Sequence, residues 1–133
     1  MTAKILIVDD NSDSRSSLKA VLRPPFLVLE APDGETALAV IAAEKPRLVL
    51  LDVSMPGMGG LEALKRALAL DPSLLILMLT SHHDVDLAAR ALTLGAAQFI
   101  TKPFDAGAIR AEVASLLNRP RKRAEDPPWR HAP

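Results

Sequence analysis

Apolar residues gather in five short runs along the chain: KILIV at 4–8, FLVLE at 26–30, LVLL at 48–51, LLILML at 74–79 and AQFI at 97–100. Three of these are continuously apolar where a half-exposed strand would alternate. Continuous runs predict central strands of a parallel sheet, covered on both faces. The second and fifth runs are shorter or more mixed, as edge strands would be. Between the runs, apolar residues recur at helical spacing, as at Ala37, Leu38, Ile41 and Ala42. Helices are predicted over 12–22, 34–43, 61–70, 84–94 and 105–117. The first opens among the capping residues Asn, Ser and Asp, and the fourth stops at Gly95, a good left-handed terminator. Five strand–helix alternations predict an α/β fold with a parallel sheet and right-handed crossovers.

The chain's 133 residues suffice for one domain with a proper core. Residues 1–118 are expected to form it, with 119–133 a Pro-rich basic tail or linker. No cysteine is present, which excludes disulfides, thiolate metal sites and cysteine nucleophiles. No apolar run reaches the ~18 residues of a spanning helix. The start, MTAKILIVDD, turns acidic where a secretory segment would stay apolar, so a cytoplasmic location without membrane insertion is expected. Sixteen basic and sixteen acidic residues cancel, yet unevenly. The tail carries five basic residues against two acidic, a net +3, and the other 118 residues hold eleven against fourteen, a net −3. An acidic body argues against nucleic-acid binding by the domain.

In an open parallel sheet, ligands bind at the carboxyl ends of strands where the strand order reverses. The first run is followed by Asp9-Asp10, the third by Asp52, the fourth by Thr80-Ser81 and the fifth by Thr101-Lys102-Pro103. Taken singly, these have plain explanations: Asp9 or Asp10 as a helix cap, Asp52 as a turn residue, Thr80-Ser81 as a cap for the fourth helix, Lys102 as a solvated lysine. Taken together they suit phosphoryl transfer to a carboxylate. Clustered carboxylates repel unless a cation joins them. Mg²⁺, with Mn²⁺ as an alternative, needs only one or two direct carboxylates besides water and phosphate oxygens. Asp52, on the middle strand, best fits the attacking carboxylate. Met55, Met58 and Met78 are expected to fill space, and His82-His83 to serve the entry to the fourth helix.

The motifs ILIVDD, LVLLDVSMPGMGG, LMLTS and FITKPF together resemble the response-regulator receiver domain of two-component signalling, over residues 4 to about 118. The resemblance implies a doubly wound five-stranded parallel sheet in the flavodoxin-like order 2-1-3-4-5, with five helices. It implies that Asp52 is the phospho-acceptor and that Asp10 directly, and Asp9 largely through water, hold Mg²⁺ with Asp52 and the backbone carbonyl of Ser54. Lys102 resembles the lysine that pairs with the phosphoryl group, Thr80 the switch hydroxyl and Phe99 the rotating aromatic. Pro103 resembles the proline whose cis bond aims the lysine inward. Ser54 and His82 occupy the variable positions beside the hydrolytic water and are expected to set the lifetime of the phosphorylated state. The implied partners are a histidine kinase or histidine phosphotransfer protein as donor, and a downstream protein or a second copy at the surface of the fourth helix, fifth strand and fifth helix.

Departures are few. The segment RPPFLVLEA has two prolines where a glycine-containing turn is common, and Phe99 lacks the hydroxyl of the frequent tyrosine. The tail is too short for an output module, so a stand-alone receiver acting by binding other proteins is expected, unless an output module follows in a longer protein. Four rivals remain. A haloacid-dehalogenase-type phosphatase needs a second acid where Ser54 stands. A flavodoxin-like flavin binder needs a phosphate loop where Asp9-Asp10 stands. A P-loop needs GxxxxGK, which is missing. A degenerate receiver would lack polar residues that this chain keeps.

Overall fold

The computed structural model describes residues 3–53, 57–81, 84–102 and 105–118. Strands and helices alternate as β1 (Lys4–Val8), α1 (Ser12–Leu22), β2 (Leu27–Ala31), α2 (Gly34–Glu44), β3 (Leu48–Asp52), α3 (Gly60–Leu70), β4 (Leu75–Thr80), α4 (Val85–Leu94), β5 (Gln98–Thr101) and α5 (Ala106–Leu117). All four strand pairs are parallel, in the order β2-β1-β3-β4-β5. This is the doubly wound topology expected, with the two mixed runs at the edges. Strands β2 to β5 each end one residue later than the apolar pattern, because backbone pairing continues through Ala31, Asp52, Thr80 and Thr101 whatever their side chains.

The continuous runs are explained by two buried faces. Leu6, Val8, Val49, Leu51, Ile76 and Met78 point into the layer under α2, α3 and α4. Their neighbours Ile5, Ile7, Leu48, Leu50, Leu77 and Leu79 point into the layer under α1 and α5. Successive side chains alternate faces, so a strand covered twice has no polar positions to spare. Met78 is fully buried and Met58 packs against the first layer, as space-fillers should. Met55, His82, His83, Pro103 and the tail from Arg119 lie outside the described residues.

Side chains close the first turns of three helices. Asn11 accepts from the amides of Asp13 and Ser14 at 2.8 and 3.1 Å, so the cap of α1 is Asn11 and neither Asp9 nor Asp10. Asp105 caps α5 on the amides of Gly107 and Ala108. Asp33 caps α2, and the Thr36 amide, with the Thr36 side chain, holds its carboxyl below the usual range. Helix α4 ends at Gly95, whose φ of +118° suits a residue without a Cβ. Among the described residues, no helix is long and apolar enough to cross a membrane.

Gly60 opens α3 against the backbone that follows β3. Its amide donates to the Val53 carbonyl at 3.1 Å. A Cβ there would sit 2.7 Å from the Asp52 oxygen, the Val53 Cα and the Val53 oxygen. Helix propensity favours alanine over glycine by about 1 kcal/mol, but overpacking against immovable backbone costs about 1–3 kcal/mol. Gly60→Ala is therefore expected to lower the stability measured by urea denaturation, where the same exchange on an exposed helix surface would raise it.

Candidate functional site

Register alone brings the site together. Val8 pairs with Leu51, so the next residues, Asp9 and Asp52, emerge side by side from neighbouring strands. Asp52 pairs with Leu79, one residue before Thr80. Thr80 pairs with Thr101, one residue before Lys102, and the Lys102 amide donates to the Thr80 carbonyl at 2.6 Å. The β1–β3 seam is where the chain reverses its winding direction, so no crossover covers it.

Carboxylate oxygens of Asp9, Asp10 and Asp52 all lie within 4.8 Å of one another. Asp9 and Asp52 are buried and Asp10 is exposed. The Lys102 ammonium stands 3.4 Å from Asp52 Oδ2 and 3.9 Å from Asp9 Oδ2. Asp9 Oδ1 accepts from the Asn11 amide at 2.9 Å, whereas Asp9 Oδ2 is buried and accepts no hydrogen bond among the described residues. A buried carboxylate oxygen without a donor, beside two further carboxylates, fits a divalent oxygen-seeking cation. One lysine offsets one of three negative charges, so a net charge near −2 is left at the edge.

Thr80 is 1% exposed, and its hydroxyl donates to the Ser81 carbonyl at 3.2 Å. It does not cap α4; there Ser81 donates to Asp84 Oδ2 at 3.0 Å, and Asp84 makes no side-chain cap bond. Phe99 is half-buried against the layer under α2, α3 and α4. A cleft of about 520 Å³ runs from Asp9 and Lys102 along α1 past Asp13, Ser17 and Val21. Of the residues expected at the site, Asp9, Asp10, Asp52, Lys102, Thr80 and Phe99 fall among the described ones. Ser54, His82 and Pro103 lie outside them.

Two contributors escaped the sequence reading. Arg15 donates to the Asp9 carbonyl at 2.7 Å, and Gly60 packs on the Asp52 carbonyl. Arg15 is one helical turn past the cap Asn11, a spacing that lets a side chain fold back over the strand end; nothing in the pattern ties it to Asp9. Gly60 closes the motif LVLLDVSMPGMGG, and nothing in that pattern marks its close approach to the Asp52 carbonyl.

A parallel sheet with three carboxylates, a hydroxyl and a lysine at the carboxyl ends of β1, β3, β4 and β5 defines a receiver-type signalling domain. The response regulator receiver domain family profile matches residues 5–114, and the chain belongs to that family. It is 37% identical over 118 residues to the sporulation initiation phosphotransferase F of Bacillus subtilis (strain 168), covering 88% of this chain and 95% of that protein. It is 38% identical over 120 residues to the alkaline phosphatase synthesis transcriptional regulatory protein PhoP of the same organism, covering 90% of this chain but 50% of that protein. Among solved structures, the receiver domain of NtrX from Brucella abortus superposes with a TM-score of 0.80 at 34% identity, covering 86% of this chain and 99% of that one. The chain thus spans nearly all of some relatives and about half of others.

Two carboxylates about 5 Å apart repel by about 1 kcal/mol in water and about 3 kcal/mol at an effective dielectric near 20. Asp10 is on the solvent side, so the lower figure applies. Asp10→Asn is expected to raise stability by about 1 kcal/mol in urea denaturation with chelator present.

Proposed function

We propose that the chain is a phosphorylation-dependent signalling switch that accepts a phosphoryl group on Asp52 in a Mg²⁺-dependent reaction. The observation that carries this reading is the buried Asp52 carboxylate, 3.4 Å from Lys102 and within 4.8 Å of the Asp9 and Asp10 carboxylates. Asp9, Asp10 and Asp52, with the Ser54 carbonyl, would hold the cation. When bound, Mg²⁺ offsets charge on the acceptor and on the incoming phosphoryl oxygens.

The donor is a phosphohistidine of a histidine kinase or histidine phosphotransfer protein. An Asp52 oxygen attacks phosphorus, the P–N bond breaks, and its electron pair leaves with the imidazole. Lys102 pairs with a phosphoryl oxygen, aimed by Pro103. Water later hydrolyses the acyl phosphate and restores the carboxylate. The chain modifies only itself and is not an enzyme acting on a separate substrate. A steady phosphatase is disfavoured because Ser54 stands where a second acid would be required.

The new charge, about −1.5 to −2, draws the Thr80 hydroxyl from the Ser81 carbonyl to a phosphoryl oxygen. Phe99 then turns into the space that is vacated. The α4-β5-α5 surface changes with it and binds a downstream protein or a second copy. Exposed Val85, Leu92 and Leu94 on α4 support an apolar contact there. Direct nucleic-acid binding by the acidic body and membrane insertion are not part of this reading, which puts the chain in the cytoplasm with its donor, and its residues 119–133 in a tail outside the receiver.

Intact mass after incubation with acetyl phosphate and Mg²⁺ tests the acceptor. One phosphoryl addition is expected, lost in Asp52→Asn and on chelation. An unchanged wild-type mass, under conditions that modify a control receiver, refutes the assignment. Replacing Ser54 and His82 together is expected to alter the half-life of the phosphorylated form by more than about twofold, followed by phosphate release; an unchanged half-life would remove both from the path of the water.

A further inference from the structure

Asp9 makes four polar contacts, three of them with groups outside the site and one with Lys102 of the site itself. Its amide donates to the Ala31 carbonyl at 3.2 Å, and its Oδ1 accepts from the Asn11 amide at 2.9 Å. Its carbonyl accepts from Arg15 Nη1 at 2.7 Å. Its Oδ2 faces Lys102 at 3.9 Å. The Arg15 contact differs from the others in what it controls. The Asp9 carbonyl and the Asp10 amide share one rigid peptide plane. Fixing that oxygen restrains the rotation of the plane, and with it the position of the Asp10 Cα from which that side chain leaves the backbone.

Arg15 is itself clamped. Its Nε donates to Glu30 Oε1 at 3.3 Å, while Lys19, one turn further along α1, donates to Glu30 Oε2 at 3.3 Å. Glu30 belongs to β2, the strand beside β1. The Arg15 side chain is only 17% exposed, so this is not a loose surface pair. A guanidinium serves a carbonyl and a carboxylate at once from separate nitrogens of a rigid planar fork, whereas an ammonium would have to reach both from a single atom.

We infer that Arg15, braced by Glu30, is a positioning residue for divalent-cation binding: it sets the peptide plane between Asp9 and Asp10, and through it the convergence of their carboxylates. The inference rests on the proposal that the acidic edge takes Mg²⁺. Electrostatics and positioning oppose each other here, which makes the role testable. Removing a cation near a cation site should tighten Mg²⁺ binding. Losing the positioning should weaken it, as loss of a supporting hydrogen bond around metal ligands commonly does by tenfold or more.

The test is a calorimetric Mg²⁺ titration of the full chain as wild type, Arg15→Met, Arg15→Lys and Leu22→Ala. Leu22→Ala opens a cavity at the far end of α1 and reports loss of stability alone. Arg15→Met is expected to raise the Mg²⁺ Kd about tenfold, Arg15→Lys by an intermediate factor, and Leu22→Ala by less than about twofold. Equal or tighter binding by Arg15→Met overturns the inference. A second readout needs no metal. Exchange of the Asn11 amide, which donates to Asp9 Oδ1, is expected to quicken about tenfold in Arg15→Met, while the Leu77 and Leu79 amides stay unchanged. Unchanged Asn11 exchange overturns the inference as well. Should the wild type take up no Mg²⁺, the metal reading of the edge fails, and the exchange experiment still decides whether Arg15 holds the turn.

Discussion

Three carboxylates converge at the edge of this sheet, with Lys102 beside two of them, and the rest of the domain exists in tension with that fact. Left to themselves, Asp9, Asp10 and Asp52 would separate into water. They stay together because β1 and β3 are central strands, paired in register and packed on both faces. Separating the backbones of Asp9 and Asp52 would require sliding a strand whose side chains fill two dense layers. Interiors resist such small shifts, since a displaced methylene group leaves a void or a clash. The core therefore supplies the stability that the site withholds, a division of roles common at sites arranged for chemistry.

The same packing is not uniform across the sheet. Strands β1, β3 and β4 contribute almost only fully buried residues, whereas every residue of β5 is half-buried. Helix α4 buries only Ala88 and Ala91 and exposes Val85, Leu92 and Leu94. A rigid centre beside a lightly packed edge is the distribution a two-state element needs. Local rearrangement draws on the lightly packed parts of a fold, and β5 with α4 forms one such part beside the Thr80 hydroxyl. Its 3.2 Å bond to the Ser81 carbonyl is long for a hydroxyl donor and so readily exchanged for a better acceptor.

How much of this was legible beforehand follows from what each feature depends on. The fold was, because burial on both faces writes itself into the sequence as unbroken apolar runs. The acids and the lysine were, because parallel strands deliver their carboxyl ends to one edge, so consecutive ends predict neighbours in space. Strand ends were off by one because backbone pairing runs on past the apolar side chains, as at Asp52. The bond from Arg15 to the Asp9 carbonyl was hidden for a different reason. It joins a side chain to a backbone atom six residues earlier, across a turn whose shape only the folded chain defines. The contact of Gly60 with Asp52 was hidden likewise: a glycine in the motif does not say which backbone it passes.

Charge balance ties the parts together. Arg15 and Lys19 both face Glu30, which offsets much of their charge, so neither competes strongly with a divalent cation for the carboxylates. The edge itself is left near −2, which one divalent cation would bring close to neutrality. Phosphorylation of Asp52 would then exchange a single negative charge for nearly two. That surplus is small, and it falls on oxygens that Lys102 alone cannot fully satisfy. On the proposed function, the remaining hydrogen-bond demand would be met at least structural cost by the neighbouring hydroxyl of Thr80, which now donates to the Ser81 carbonyl. So modest a change in charge would then reach the surface because Asp9 and Asp52 are buried at the ends of packed central strands; were those two free to shift, the edge would relax locally and Thr80 would have no reason to turn.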